Sequence, residues 1–143
     1  ISMNIRERQD LLISFFAKAP MKKTFGMTLS YSNGSAHFSM PYQEQFDHAF
    51  GGIHGGGIAT LLDNAGWFTV AQYYDTWIAT ANLDVQYLEP CSGIRLQAIG
   101  KLLKKGKSLA FSEMELLNED DKIMAHGTAT FAITSKTVSS SLS

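Results

Sequence analysis

The chain has 143 residues, a mass of 15.7 kDa and 45% hydrophobic residues, enough for one globular domain with a substantial core. Its formal net charge of -1 and pI near 6.5 give no strong field for a nucleic acid or an anionic membrane, so neither is an expected partner. Because Cys91 is the single cysteine, no secretory signal is evident and no apolar stretch could span a bilayer, we expect a cytoplasmic protein.

The first predicted element is an amphipathic helix from Ile5 to Lys18. Its apolar residues recur at helical spacing among charged ones, and Pro20 follows to end the helix. Ile1-Ser2 precede Met3 and are interpreted as an expression scar.

Two paired strands are predicted next, over residues 24–32 and 35–40. Both segments alternate with a period near two, and Asn33-Gly34 between them is a dipeptide typical of tight hairpins. A loop over residues 41–53 follows the hairpin.

The longest helix is predicted over residues 54–74. Apolar side chains occupy nearly every face of it: Ile58, Leu61, Leu62, Ala65, Trp67, Phe68, Val70 and Tyr73. A helix that is apolar all round is enclosed by other structure, so this helix is expected to form the centre of the core. The bare glycines Gly55-Gly56-Gly57 open it, and Asp63 is its single carboxylate.

Four more strands are predicted at 78–88, 94–104, 108–117 and 122–134. The short turns between them favour an antiparallel meander, since parallel neighbours need long crossovers. The Ser-rich residues 135–143 are expected to be disordered. We interpret residues 1–143 as one α+β domain, in which a curved antiparallel β-sheet wraps around one long central helix.

Four motifs, taken in order, carry a resemblance to a known family. They are His54-Gly55-Gly56 with Asp63 nine residues after the histidine, Tyr87-Leu88-Glu89-Pro90, Gly106-Lys107-Ser108, and Ala125-His126-Gly127-Thr128-Ala129-Thr130-Phe131. From about residue 20 to 134, the chain resembles a hotdog-fold acyl-CoA thioesterase of the phenylacetyl-CoA-pathway (PaaI-like) branch. The resemblance implies the hotdog fold and hydrolysis of an acyl- or aryl-coenzyme A, with no cofactor beyond the coenzyme A of the substrate.

The residues themselves allow this chemistry. Thioester hydrolysis needs hydrogen-bond donors for the oxygen that becomes negative and a base for the attacking water. Gly55 and Gly56 lie where the first N–H groups of a helix have no intrahelical partner, so both can face a thioester carbonyl. Asp63 is the predicted base or nucleophile, and the sequence does not separate these two roles.

The separation of Gly55 from Asp63 predicts an assembly. Eight residues of helix span about 12 Å, whereas donor and base must each lie within about 3 Å of atoms at one reacting centre. We therefore predict a dimer in which two antiparallel helices meet, so that Gly55 of one chain shares a site with Asp63 of the other. The resemblance implies inter-subunit sites of the same kind, and two dimers can pair into a tetramer.

The resemblance also implies supporting residues in the site. Thr80 corresponds to a hydroxyl that holds water beside the carboxylate. His48 lies where many relatives carry an asparagine that polarises the substrate carbonyl; it can donate the same hydrogen bond or titrate as a second acid or base. Trp67 and Phe68 are candidates for lining an acyl or aryl pocket.

Two segments are expected to bind coenzyme A. The resemblance points to Tyr87 and Pro90 at the end of one strand, and to the turn of Lys104, Lys105, Gly106, Lys107 and Ser108, where lysines and backbone N–H groups suit phosphates. His54 and Gly56 complete the substrate-binding set, with His54 expected chiefly to orient the loop. No metal is predicted, because the histidines lack zinc-ligand spacing.

Structural explanations compete with each of these assignments. Asp63 beside Asn64 also suits a polar pair at a subunit contact, and the three glycines also suit tight packing of the helix on a strand. His48 and Thr80 suit an ordinary loop and strand, and the lysine turn suits a solvated surface. A non-hydrolysing acyl-CoA-binding domain, and a hydratase or dehydratase of the same fold, are the alternative functions.

Overall fold

The computed structural model describes residues 3–138, so the predicted scar at Ile1-Ser2 lies outside the described residues. The helices are α1 (Ile5–Lys18), α2 (Pro20–Phe25) and α3 (Gly55–Ala71), with a short 3-10 turn at Glu44–Phe46. The strands are β1 (Thr28–Ser32), β2 (Ser35–Met40), β3 (Thr76–Tyr87), β4 (Leu96–Lys105), β5 (Leu109–Leu117) and β6 (Ile123–Thr137).

Helix α1 has the predicted bounds. Asn4 caps it by accepting a hydrogen bond from the Glu7 N–H, at 2.9 Å, which satisfies one of the free donors of the first turn. Its apolar face buries Phe16 in the core, and Arg8 forms an ion pair with Asp75 beyond the end of α3. The amphipathic prediction is therefore confirmed.

The predicted strand over 24–32 is wrong at its start. Helix α2 begins with Pro20 in its first turn, a position that proline favours, and ends at Phe25, followed by the C-cap Gly26, whose φ of 68° is left-handed. Strand β1 begins only at Thr28. Gly26 is thus a helix cap, which the alternating pattern alone does not reveal.

The six strands form one antiparallel sheet in the order β1-β2-β4-β5-β6-β3. The predicted meander is correct for β4, β5 and β6 but wrong for β3, which pairs with β6 at the far edge. Residues 88–95 are too many for a tight hairpin and contain Pro90. They cross to β4 past the start of α3, where the Cys91 carbonyl accepts a 2.8 Å hydrogen bond from the Ile53 N–H.

The prediction of a disordered tail is wrong for residues 135–137. Strand β6 continues to Thr137, which pairs with Thr76 at the start of β3. Val138 is 6% exposed, and its N–H donates a 2.9 Å hydrogen bond to the Asp75 carbonyl. The long partner strand β3 supplies hydrogen bonds that the composition of the tail does not indicate. Residues 139–143 lie outside the described residues.

Helix α3 packs into the concave face of the sheet, as the sequence predicts. It buries Leu61, Leu62, Ala65 and Val70 completely. The helix and sheet lie close together at Gly100 of β4, where an added Cβ would lie 2.3 Å from the Ala65 carbonyl oxygen. No helix within residues 3–138 combines the length and the apolar character needed to cross a membrane.

The enclosure of α3 is incomplete, contrary to the expectation for a helix that is apolar all round. Gly56, Thr60, Asp63 and Trp67 follow one another at helical spacing and are exposed or half-buried. This stripe lies beside β3, because the Trp67 indole donates a 2.9 Å hydrogen bond to the Ile78 carbonyl. The sheet therefore leaves one face of α3 open at the β3 edge.

Candidate active site

The start of α3 leaves one backbone donor free. His54 is the N-cap, and its Nδ1 accepts a 2.7 Å hydrogen bond from the Gly56 N–H. The Gly57 N–H donates to the His54 carbonyl at 2.9 Å. Among the described residues, the Gly55 N–H has no acceptor. Of the two predicted oxyanion donors, Gly55 is available and Gly56 is occupied by the cap.

Four of the predicted site residues line one cleft of about 320 Å³, namely His48, Gly55, Tyr87 and Pro90. The Tyr87 hydroxyl donates a 2.7 Å hydrogen bond to the Gly55 carbonyl, which ties the end of β3 to the start of α3. Residues 88–91, at the start of the connection to β4, also line the cleft. Gly55, whose N–H has no acceptor among the described residues, thus lines this cleft at the positive end of a helix.

A tight loop holds His48 at this cleft. The His48 N–H donates to the Gly52 carbonyl at 2.8 Å, and the Gly51 N–H donates to the His48 carbonyl at 3.0 Å. The Phe50 N–H donates to His48 Nδ1 at 3.1 Å. The ring is therefore fixed by its own loop, with its other nitrogen directed away from that bond.

Asp63 and Thr80 form the second part of the site. The Thr80 hydroxyl donates a 2.9 Å hydrogen bond to Asp63 Oδ1. Burial raises the pKa of the Asp63 carboxyl above its ordinary value, and the hydrogen bond from Thr80 opposes that rise. The half-buried carboxylate is therefore more basic than an exposed one, and among residues 3–138 its hydrogen-bond donor is the Thr80 hydroxyl.

A β-bulge places Thr80 against α3. The pairing of β3 with β6 shifts between Thr80 and Asn82, so Ala81 is an extra residue. Ile78 and Thr80 face the helix before the bulge, whereas Leu83 and Val85 pack on the core after it. Without the extra residue, side chains would alternate strictly along β3. Thr80 would then lie on the face opposite Leu83 and Val85, away from the helix.

The lysine turn lies far from the Gly55 cleft of the same chain. The Tyr74 hydroxyl donates a 2.6 Å hydrogen bond to the Gly106 carbonyl, and Lys105 Nζ lies 5.4 Å from the centre of the Tyr74 ring. Tyr74 follows the last turn of α3, and a helix of 17 residues is about 25 Å long. The structure therefore separates the two predicted coenzyme A segments, Tyr87–Pro90 and Lys104–Ser108, within one chain.

The two aromatic candidates for a pocket differ in their surroundings. Phe68 is 9% exposed and packs in the core, with ring centres 5.5 Å from Phe16 and 5.4 Å from Phe38, and its part in a pocket stays a prediction. Trp67 is half-buried on the open stripe of α3, and its ring centre lies 5.5 Å from that of Trp77.

Two features of the site were not predicted. A second cavity, of about 340 Å³, lies on the other side of the α3 N-terminus and is lined by Phe25, Phe46, His54, Gly56 and Thr60 among others. Gly52 makes room for the His48 ring, and its place in the Gly51-Gly52 pair was the available signal.

No group of three or more His, Cys, Asp or Glu within residues 3–138 is placed to hold a metal ion.

Known proteins share this sequence pattern and architecture. The family model of the thioesterase superfamily matches residues 50–125. Human acyl-coenzyme A thioesterase 13 is 31% identical over 104 residues, covering 69% of this chain and 73% of the human protein. The medium/long-chain acyl-CoA thioesterase YigI of Escherichia coli K12 is 28% identical over 137 residues, covering 83% of this chain and 88% of YigI.

A solved structure with the same fold is the E. coli PaaI protein of the phenylacetic acid degradation operon. It aligns with a TM-score of 0.85 over 94% of this chain and 99% of that chain, at 18% identity. The segment that the family model matches includes Asp63 and the helix start His54-Gly55-Gly56. On this fold and these matches, the chain belongs to the thioesterase superfamily of hotdog-fold proteins.

Proposed function

We propose that the protein hydrolyses acyl- or aryl-coenzyme A thioesters. The observation that carries this proposal is that the Gly55 N–H at the start of α3 is unpaired among the described residues, and that Gly55 lines a cleft of about 320 Å³. Such a donor stabilises negative charge on a carbonyl oxygen, which is what acyl transfer to water requires. The chain's membership of the thioesterase superfamily and its acyl-CoA thioesterase relatives support the same substrate class.

In the proposed reaction, Asp63 is the base or the nucleophile. Thr80 holds Oδ1, and Asp63 Oδ2 has no hydrogen-bond partner among the described residues, so Oδ2 is available to take a proton from water. The water oxygen bonds to the carbonyl carbon, and the carbonyl oxygen becomes an oxyanion near the Gly55 N–H. Collapse of this intermediate breaks the carbon–sulfur bond, and the proton held on Asp63 passes to the sulfur, which releases a carboxylic acid and coenzyme A. In the nucleophilic variant, Oδ2 bonds to the carbonyl carbon and the carbon–sulfur bond breaks, which releases coenzyme A as a thiolate and leaves a mixed anhydride. Water then cleaves the anhydride, which frees the Asp63 carboxylate and the carboxylic acid, and one of its protons goes to the thiolate.

The proposed site needs two chains. Gly55 and Asp63 are separated by eight residues on one helix, about 12 Å, so they do not reach one thioester together. The open stripe of α3 and the unpaired edge of β3, a strand of 12 residues, lie side by side and offer a surface for a second copy. We propose a dimer in which the partner's Gly55 completes the site of Asp63, and pairing of dimers into a tetramer.

The coenzyme A contacts fit the same arrangement. In the sheet, Leu109 beside the lysine turn is opposite Ala132, and Thr80 is opposite Phe131, so the lysine turn lies at the level of the Asp63 half of the site. We propose that these lysines bind phosphates of a substrate whose thioester reaches the Gly55 cleft of the partner.

A thiol-release assay tests the proposal. Aliphatic and aryl coenzyme A thioesters are compared with wild type, Asp63→Asn and Asp63→Ala. We expect hydrolysis by wild type and a loss of about 10²-fold or more in both variants. Tight binding without thiol release would favour a non-hydrolysing binding domain, and hydration of crotonyl-coenzyme A would favour a hydratase.

A further inference from the structure

The second cavity beside α3 has no part in the reaction proposed above. It measures about 340 Å³, and its lining includes Phe25, Phe46, Gly56, Gly57 and Thr60. The rings of Phe25 and Phe46 stack with their centres 4.6 Å apart and their planes at 5° to each other. Both rings lie outside residues 50–125, so the family match does not extend to this aromatic wall.

The polar groups around this cavity are bonded to other parts of the chain. The Thr60 hydroxyl donates a 2.9 Å hydrogen bond to the Gly56 carbonyl, and Asp47 Oδ2 accepts one of 2.6 Å from the Tyr42 hydroxyl. Asp47 Oδ1, which has no partner among the described residues, is buried from solvent and therefore from a ligand in the cavity. Because one wall is aromatic and these polar atoms are partnered or buried, the cavity suits an apolar group.

The cavity adjoins the open stripe of α3 that carries Asp63. Gly56 and Thr60 belong both to this stripe and to the cavity lining. Along the helix axis, Thr60 lies about 4.5 Å from Asp63 and Gly56 lies about 10.5 Å from it. An extended chain advances about 1.2 Å per bond, so an acyl chain whose carbonyl is at Asp63 reaches Thr60 after about four bonds and Gly56 after about nine.

The lysine turn, residues 104–108, gives the substrate a direction along this stripe. It contacts Tyr74, which follows the C-terminal end of α3, whereas the cavity lies at the N-terminal end of the same helix. A thioester at Asp63 whose phosphates reach the lysine turn therefore directs its acyl group toward the cavity of the same chain.

We propose that this cavity binds the apolar end of an acyl group of about six to ten carbons, and that Gly57 sets the length of acyl chain it accepts. The proposal rests on the proposed thioester hydrolysis and names the acyl group that the site takes. A Cβ at Gly57 would meet Ile53 Cγ2 at 3.8 Å and no other described atom within 4 Å. A side chain at residue 57 therefore has room in the fold and would occupy the cavity.

A series of side chains at residue 57 tests the proposal by activity. Gly57→Ala, Gly57→Leu and Gly57→Phe fill the cavity progressively, and kcat/KM is measured with acetyl- and octanoyl-coenzyme A. We expect the octanoyl-to-acetyl ratio of kcat/KM to fall least in Gly57→Ala, about tenfold or more in Gly57→Leu and further in Gly57→Phe, since each buried methylene contributes about fourfold to binding. Ala17→Leu adds the same side chain at an exposed position of α1 and should keep the wild-type ratio.

A binding measurement separates this proposal from the proposed function. Isothermal titration calorimetry compares octanoyl-coenzyme A with coenzyme A alone in Asp63→Asn and in the double variant Asp63→Asn/Gly57→Leu. We expect the octanoyl group to tighten binding about tenfold or more and to make the heat-capacity change more negative, and we expect Gly57→Leu to remove both effects.

Three results would overturn the inference. They are an octanoyl-to-acetyl ratio in Gly57→Leu within about threefold of wild type, an equal fall of the ratio in Ala17→Leu, and octanoyl-coenzyme A that binds no tighter than coenzyme A. Failure of wild type to hydrolyse any thioester would instead reject the proposed function, while calorimetry still reports whether the cavity binds the acyl group.

Discussion

The Thr80 hydroxyl and Asp63 Oδ1 are joined by a 2.9 Å hydrogen bond between an edge strand and the central helix. Burial and this bond act on the pKa of Asp63 in opposite directions, and burial prevails. The bond favours the ionised carboxylate, whereas a carboxylate in this half-buried place is otherwise costly. This balance sets the pH range in which the proposed base is ionised.

Removing the Thr80 hydroxyl should shift the acidic limb of activity. The Asp63 carboxylate must be ionised to act, so kcat/KM is expected to fall as the pH drops through its raised pKa. Thr80→Val removes the bond that lowers this pKa, so its acidic limb should lie at a higher pH than that of wild type, and water would be held less well. Thr80→Ser keeps the hydroxyl and should follow wild type. Coincident pH–rate profiles for Thr80→Val and wild type would refute the assignment.

Asp63 should also make stability depend on pH. Because its pKa is raised in the folded chain, the folded state binds more protons than the unfolded state between the two pKa values. The free energy of unfolding contributed by Asp63 therefore falls as the pH rises through this window and stays low at neutral pH. Asp63→Asn should raise Tm at pH 7, and the gain should shrink as the pH falls through the raised pKa. Asp120→Asn, in an exposed turn, is the control and should show no such trend.

The cap at His54 predicts a stability change that is separate from catalysis. Replacing His54 by Ala leaves the Gly56 N–H without its side-chain acceptor and should lower the free energy of unfolding by about 1 kcal/mol. His54→Asn offers a side-chain oxygen that caps well and should recover most of the loss. Denaturant unfolding of the two variants measures the difference. Equal stability of His54→Ala and wild type would contradict the capping role.

The order of the elements other than α2, and the central helix, were predictable because their signals are local. Hydrophobic periodicity marks α1 and α3, and Asn33-Gly34 marks the β1–β2 turn. The pairing of β3 with β6 was not predictable in this way, because short turns describe chain neighbours and not a connection that crosses the sheet. The prediction of disorder from Ser135 onward was wrong up to Thr137 for a similar reason, since β3 pairs with the last residues of β6.

The residues of the candidate site were predictable from the sequence, whereas their hydrogen bonds and relative positions were not. The glycines and Asp63 follow from the sequence pattern, but only the cap shows that Gly56 donates to His54 and leaves Gly55 free. The contact between Thr80 and Asp63 depends on the bulge at Ala81, which reverses the faces that simple alternation assigns. Long-range hydrogen bonds and one inserted residue decide these positions, and neither has a signature in a single sequence.

A substitution by proline can remove the Gly55 N–H while the start of α3 keeps its helical conformation. Gly55 is the first helical residue, a position that accepts proline, and His54 before it has φ -59° and ψ 136°, the conformation that precedes proline. Gly55→Pro should lower kcat by about 10²-fold to 10³-fold through loss of the donor. Gly55→Ala adds a Cβ at 3.2 Å from the Tyr87 ring but keeps the N–H, so it serves as the matched control. Equal kcat in the two variants would rule out the donor role.

The division of each site between two chains is tested most directly by mixing two inactive variants. Asp63→Asn and Gly55→Pro are purified separately, then unfolded and refolded together, with each variant refolded alone as the control. In a mixed dimer, one site would join the native Gly55 of the first chain to the native Asp63 of the second. The account predicts that activity returns to about a quarter of that of refolded wild type, since half of randomly formed dimers are mixed and each has one intact site. A mixture no more active than the separate variants would contradict it and place Gly55 and Asp63 in the same chain's site.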